Sequence, residues 1–216
     1  MKKIFTVIML AFLAMGYVRA QEPSSSLGFT PSSYYTFTWS TAFPIGNFHD
    51  WVSQPGPAGF DFGGRYLLNK GLTVGFNFAW QRVTKLYEDE TYTIPDKGIA
   101  ITANNYRFTW MCPFQAVVAY HLVPDKIVSP YIGLGIGGDY MEHHLMIQEY
   151  DIYKTYWDFS LTPEVGIMAK FGNFSNWGGI LAFNYKFTTN KVELYEKSYD
   201  NLQMLNIRLG IAYIIR

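Results

Sequence analysis

The 216-residue sequence has one cysteine, Cys112. A single thiol excludes an internal disulfide and a cysteine-built metal site. The sequence also lacks an excess of positive charge, with 17 basic and 17 acidic groups. Three of the basic groups, Lys2, Lys3 and Arg19, fall in the first 20 residues, so the remainder carries 14 against 17, a net of about −3. That balance is no footprint for nucleic acid. Beyond residue 20 there is no run of 18 apolar residues, which excludes a helical membrane protein. Closed barrels remain, because only helices and barrels satisfy every backbone group in hydrocarbon.

Residues 1–20 have the layout of a secretory signal peptide. Lys2 and Lys3 form a positive start, Ile4–Met15 an apolar stretch too short to span, and Val18-Arg19-Ala20 the cleavage site. No cysteine follows to accept a lipid. Residues 21–32, rich in Ser and Pro, read as a flexible periplasmic lead-in, and 33–216 as one barrel domain.

What is abundant is aromatic: 17 Tyr, 17 Phe and 6 Trp, 19% of the chain. The rings recur with a period of two. Leu72, Val74, Phe76, Phe78 and Trp80 alternate with Thr73, Gly75, Asn77, Ala79 and Gln81. Leu205, Ile207, Leu209, Ile211 and Tyr213 alternate with Asn206, Arg208, Gly210 and Ala212. The pattern predicts eight strands, over 33–43, 58–68, 72–87, 104–122, 130–142, 157–171, 178–188 and 202–215. Connections 69–71, 123–129 and 172–177 are short; 44–57, 88–103, 143–156 and 189–201 are long and polar. Alternating short turns and long loops predict an eight-stranded antiparallel up-and-down transmembrane β-barrel with both termini in the periplasm. Pro113 and Pro163 fall inside strands and predict bulges there, with a parity slip above them.

Twelve rings on the apolar face, among them Phe37, Trp39, Phe62 and Phe183, would overfill an eight-stranded lumen, so they face lipid. The opposite face carries a polar set: Asp61, Arg65, Asn77, Gln81, Gln115, His121, Glu164, Lys170, Asn184, Lys186, Asn206 and Arg208. In a narrow lumen a lone Glu is costly. Counting from the strand ends puts Glu164 between Arg208 and Arg65, with Lys186 and Asn206 nearer the outer end. This plugged lumen is weighed against an open pore lining.

Sites of chemistry are few. His143 and His144 are adjacent and on a strand point to opposite faces, so they do not share a metal. His49-Asp50 is a lone loop pair that belongs to no Ser, Cys or carboxylate set. Gly133-x-Gly135-x-Gly137-Gly138 precedes no helix, so it is no nucleotide fingerprint. No enzyme, cofactor or metal is expected. The outer loops carry Trp51, Tyr92, Tyr150, Tyr153, Tyr156 and Tyr195 among charges, a composition suited to protein or glycan contact.

On these features the chain resembles the small eight-stranded outer-membrane barrels, the OmpA/OmpX/OmpW-like group and the outer membrane protein beta-barrel domain family. The sharpest motif is C-terminal: Arg208, Gly210, Tyr213 and Ile215 are similar to the group's assembly signal, although the chain ends on Arg216 rather than an aromatic residue. The resemblance implies contact with outer-membrane lipid and lipopolysaccharide, and handling by the barrel-assembly machinery. It implies a non-enzymatic protein, structural or presenting its loops to partners. Three alternatives stand beside it: a narrow channel or transporter for small apolar solutes, a secretion-machinery component similar to PorT-like barrels, and a lipid-modifying enzyme. Residues 21–32 lack the amphipathic helix of one such enzyme group. His121 is followed by Val123, so the His-x-Ser pair of another is missing.

Overall fold

The computed structural model describes residues 33–68, 71–94, 99–124, 126–148, 150–172, 175–194 and 197–215. The leader, the lead-in, Tyr195 and the side chain of Tyr92 lie outside the described residues. The strands are β1 (Ser33–Ile45), β2 (Ala58–Leu67), β3 (Leu72–Ile94), β4 (Ile99–His121), β5 (Val128–Ile147), β6 (Tyr150–Lys170), β7 (Trp177–Leu194) and β8 (Lys197–Ile215). Each pairs antiparallel with the next, and β8 pairs with β1 to close the ring. Over the height that all eight strands share, closure leaves no edge, so the ladder groups there are satisfied within the wall.

Strand alternation sorts the side chains as the dyad pattern predicts. Phe37, Trp39, Phe114, Ile132, Val165, Phe183 and Leu209 are exposed on the exterior. Thr38, Ser40, Gln115, Ser160, Asn206 and Arg208 are buried.

The strands are taller than expected. Strands β3 to β8 have 18–23 residues, where about 9–11 suffice to cross a bilayer. Most of segments 88–103, 143–156 and 189–201, expected as loops, continues the ladder instead. By contrast β1 and β2 have 13 and 10 residues, and the wall is lowest there.

Neither proline makes a bulge. Pro113 stays in register with Asp139, and Pro163 with Leu134. On the other side each interrupts one ladder without changing its register, between Phe78/Phe114 and Gln81/Met111, and between Leu161/Phe187 and Glu164/Asn184. A missing donor costs one link, not a residue of register. The register shifts lie higher, at Tyr87/Glu90 and Thr188/Lys191. Asp89 (φ 53°) lies within the first shift, and Asn201 (φ 60°) lies on β8 opposite the second. Both residue types tolerate the left-handed region.

The first connection is the surprise. Gly46 turns at φ 58°, where a Cβ would lie 2.6 Å from the Gln203 side chain. A one-turn helix, α1 (Asn47–Trp51), follows. Ala42 and Gly56 then exchange backbone hydrogen bonds of 2.9 and 2.8 Å, clipping the loop's ends together. Phe48, Trp51 and Val52, at i, i+3 and i+4, are all buried. The loop folds into the barrel mouth rather than out from it.

Candidate functional site

The interior has two levels. In the one nearer the chain termini, Arg208 Nη1 lies 2.6 Å from Glu164 Oε2 and 3.7 Å from Asp61 Oδ1. Tyr131 donates to Glu164 Oε1 at 2.7 Å, and Asn184 to Oε2 at 3.5 Å. Asn206 donates to Asn184 at 2.8 Å, Gln81 to Ser40 at 2.7 Å and to Asn206 at 3.3 Å, and Asn77 to Asp61 at 3.1 Å. These partners come from seven strands, all but β4, so the network ties opposite walls together. The charge-assisted bonds are its strong members.

Arg65 is arranged differently from the expectation. It shares a small cavity with Glu164 and Arg208, but its Nη1 donates to the Gly64 carbonyl at 3.1 Å and to the Phe76 carbonyl. Lys186 does not join Glu164; it pairs with Asp139, which also accepts from Thr188 at 3.3 Å. Asp139 follows a run of small inward residues, Gly133, Gly135 and Gly137, and stands outside the polar set read from the sequence. Lys170, expected inside, is half-buried and points to the Pro124 carbonyl at 3.4 Å.

The far level is apolar. Phe48, Trp51 and Val52 pack with Val83, Met111, Met141, Leu145, Val192, Leu202 and Met204. Burying Phe48 or Val52 contributes about 1.5–3 kcal/mol each. Trp51 Nε1 donates to Thr109 Oγ1 at 3.1 Å, and that hydroxyl lies 2.9 Å from His143 Nδ1. The Tyr199 hydroxyl is 3.2 Å from the same ring. Arg107 stacks over Trp51 and Tyr87, 5.4 and 4.1 Å from their centroids, and pairs with Glu90. Burial, with a smaller push from His144, holds the His143 imidazole down at about 3. His143 lies beyond the apolar band, level with Thr109 and Lys154.

This placement corrects two expected outer contacts. Trp51 is 2% exposed, and Tyr156 packs inward, its ring 5.5 Å from His143. Tyr150 and Tyr153 do face solvent, 76% and 61% exposed, with Tyr153 stacked on His144. Among the described residues no three His, Cys, Asp or Glu side chains converge as metal ligands.

The C-terminal motif divides among three environments. Arg208 enters the lumen network. Tyr213 packs its ring on Trp177 outside, at 5.0 Å. Gly210 sits at the closing seam, where a Cβ would come within 2.1 Å of the Phe37 carbonyl oxygen. Its small size is thus already required by β8–β1 contact.

No family model and no curated protein matches the sequence. Among solved structures the chain is similar to Neisserial surface protein A (TM-score 0.50, 11% identity, 85% of this chain and 96% of that one). It is also similar to OprG of Pseudomonas aeruginosa (0.49, 10%, 87% and 97%). A third is Ail, the attachment invasion locus protein of Yersinia pestis (0.45, 14%, 86% and 97%). The chain therefore has the fold of eight-stranded outer-membrane β-barrels, and its exterior apolar band is the surface such a barrel turns to lipid.

Proposed function

We propose that the chain is a non-enzymatic integral outer-membrane protein with a plugged lumen, presenting its tall outer hairpins to protein or glycan partners. Both termini lie in the periplasm, residues 1–20 are removed on export, and Arg208, Gly210, Tyr213 and Ile215 direct assembly. One observation carries the reading: the interior is occupied twice over, by the Arg208–Glu164–Asp61 network and by the inward-folded Phe48–Trp51 loop. An eight-stranded lumen has little room beyond its own side chains. Partner contact then falls to the exposed hairpins that carry Tyr150 and Tyr153. Reconstitution in planar bilayers tests the plug. No conductance steps are expected; steady ohmic steps would overturn it.

A second reading, passage of small apolar solutes, is favoured by a groove of about 600 Å³ on the outer wall. It runs past Pro163, Tyr185, Leu205 and Phe43, beside the interrupted β6–β7 ladder. Solute uptake by liposomes without ion conductance would favour that reading.

A further inference from the structure

On the exterior, strand register sets side chains in rows. Trp39, Phe60 and Trp80 are level on β1–β3, and Tyr140 and Trp157 are level on β5–β6. Rings at this height are the usual girdle between hydrocarbon and headgroups. The next row away from the termini runs Ala58, Arg82, Trp110, Glu142 and Thr155. Arg82 projects outward one step beyond Trp80 and follows the ten-residue stretch Leu72–Gln81 of β3, which on a tilted strand rises about 25 Å, the height of the apolar band of such a barrel, so the guanidinium reaches the headgroups.

The guanidinium is held in place. Its central carbon is 4.8 Å from the Phe108 ring centroid and 4.8 Å from that of Trp110. The stack continues below, with Trp110 4.8 Å from Trp80 and Trp80 5.8 Å from Phe60. Yet Arg82 forms no ion pair among the described residues, and its Nε is buried without a hydrogen-bond partner. Arg82 as a whole is half-buried, whereas the fully buried Arg65, Arg107 and Arg208 each reach a carboxylate or carbonyl oxygen. Glu142, one strand beyond Trp110, is occupied by the Tyr140 hydroxyl at 2.5 Å. The open approach is over Ala58, which is small and exposed.

We propose that Arg82 is a binding site for the anionic headgroup of a membrane lipid, a phosphate taken by the guanidinium while the acyl chain lies along the Trp80–Phe60 rings. A planar guanidinium suits two phosphate oxygens, and the stacked rings fix its plane before the ligand arrives. A lipid satisfies both halves of the site at once: charge above, hydrocarbon below.

The test uses native mass spectrometry on protein folded into phosphatidylcholine bilayers with and without phosphatidic acid or lipid A. Wild type should retain the anionic lipid over phosphatidylcholine, and Arg82→Gln should lower that retention about tenfold, the worth of one charge-assisted bond. Ala58→Glu, at an exposed site, should abolish it by repulsion while Arg82 stays. Heat-modifiable mobility checks that each variant is folded. Equal retention by wild type and both variants overturns the site. So does inorganic phosphate binding as tightly as phosphatidic acid in zwitterionic micelles, which would make it a free-anion site. The proposal stands on the lipid-facing exterior and not on the plug, so conductance steps would end the plugged reading and leave this one intact.

Discussion

The two levels of the interior stabilise the same wall by opposite means. Near the termini, Glu164, Arg208 and Asp61 are buried charges whose value lies in being matched; each alone would be costly. At the mouth, Phe48, Trp51 and Val52 fill space among methionines and leucines, bordered by the Trp51–Thr109–His143 chain and the Arg107–Glu90 pair. The first level is built from the strands themselves. The second is completed by a loop that crosses in where the wall is lowest. Damage to the first should therefore be global and damage to the second local.

The largest effect should follow Arg208→Ala. It leaves Glu164 and Asp61 without the guanidinium that pairs with both, and a broken buried pair costs about 3–5 kcal/mol. Denaturant titration of the folded, heat-modifiable form measures it. Adding Glu164→Gln to Arg208→Ala should recover part of the loss. A double variant no better than the single would mean that packing, not charge, sets the cost. Trp51→Ala should come next, at about 3 kcal/mol for loss of a buried ring. Its signature is new cleavage by added protease within 53–57, while the barrel band stays resistant. Global unfolding instead would erase the contrast between the levels.

These levels were not equally legible. The lower one follows from parity alone: a period of two puts Glu164, Arg208, Asp61 and Asn206 inside whatever their neighbours do. Strand number and order follow from the same alternation and the turn spacing. Above the apolar band the exterior also becomes polar, as at Glu142 and His144, and the contrast that marks a strand disappears. Tall strands thus read as loops. Register shifts near Asp89 and Asn201 further displace the parity, while the two prolines suggested shifts where the ladder only loses a link. One signal for the plug was present: Phe48, Trp51 and Val52 have helical spacing, an apolar stripe concealed in a stretch of five polar or Gly/Pro neighbours. The Lys186–Asp139 pairing depends on which residues meet across the lumen, and that distance is not in the sequence.

A smaller effect should come from pH at the mouth. The His143 ring has its pKa lowered to about 3 in the folded protein from 6.5. Above 6.5 neither state binds the proton and the mouth has its full stability. As pH falls from there toward 3, the undocked state takes up a proton that the docked state refuses. Stability then falls by at most about 1.4 kcal/mol per pH unit. Trp51 emission should redden over that range as the ring meets water. In His143→Phe the change should shrink; an undiminished transition would assign it to another group.

The smallest effect on stability should come from the hairpin tip, and it separates that surface from both interior levels. Tyr150 and Tyr153 are 76% and 61% exposed. Tyr153 loses only a stack with His144, whose ring keeps its place against Phe108 at 4.3 Å and its contact with Asp151 at 3.0 Å. Replacing either tyrosine with alanine should change stability by no more than about 0.5 kcal/mol, as is usual at exposed positions. If the hairpins carry partner contact, the same variants should reduce binding of extracellular matrix proteins or glycan arrays to intact cells, since exposed tyrosines are the residues that anchor such interfaces. Stability unchanged with binding lost would place function on the rim and stability in the lumen. Loss of stability on Tyr153→Ala would instead mean that the exterior ring stack supports the mouth from outside, and the two-level picture would need a third wall.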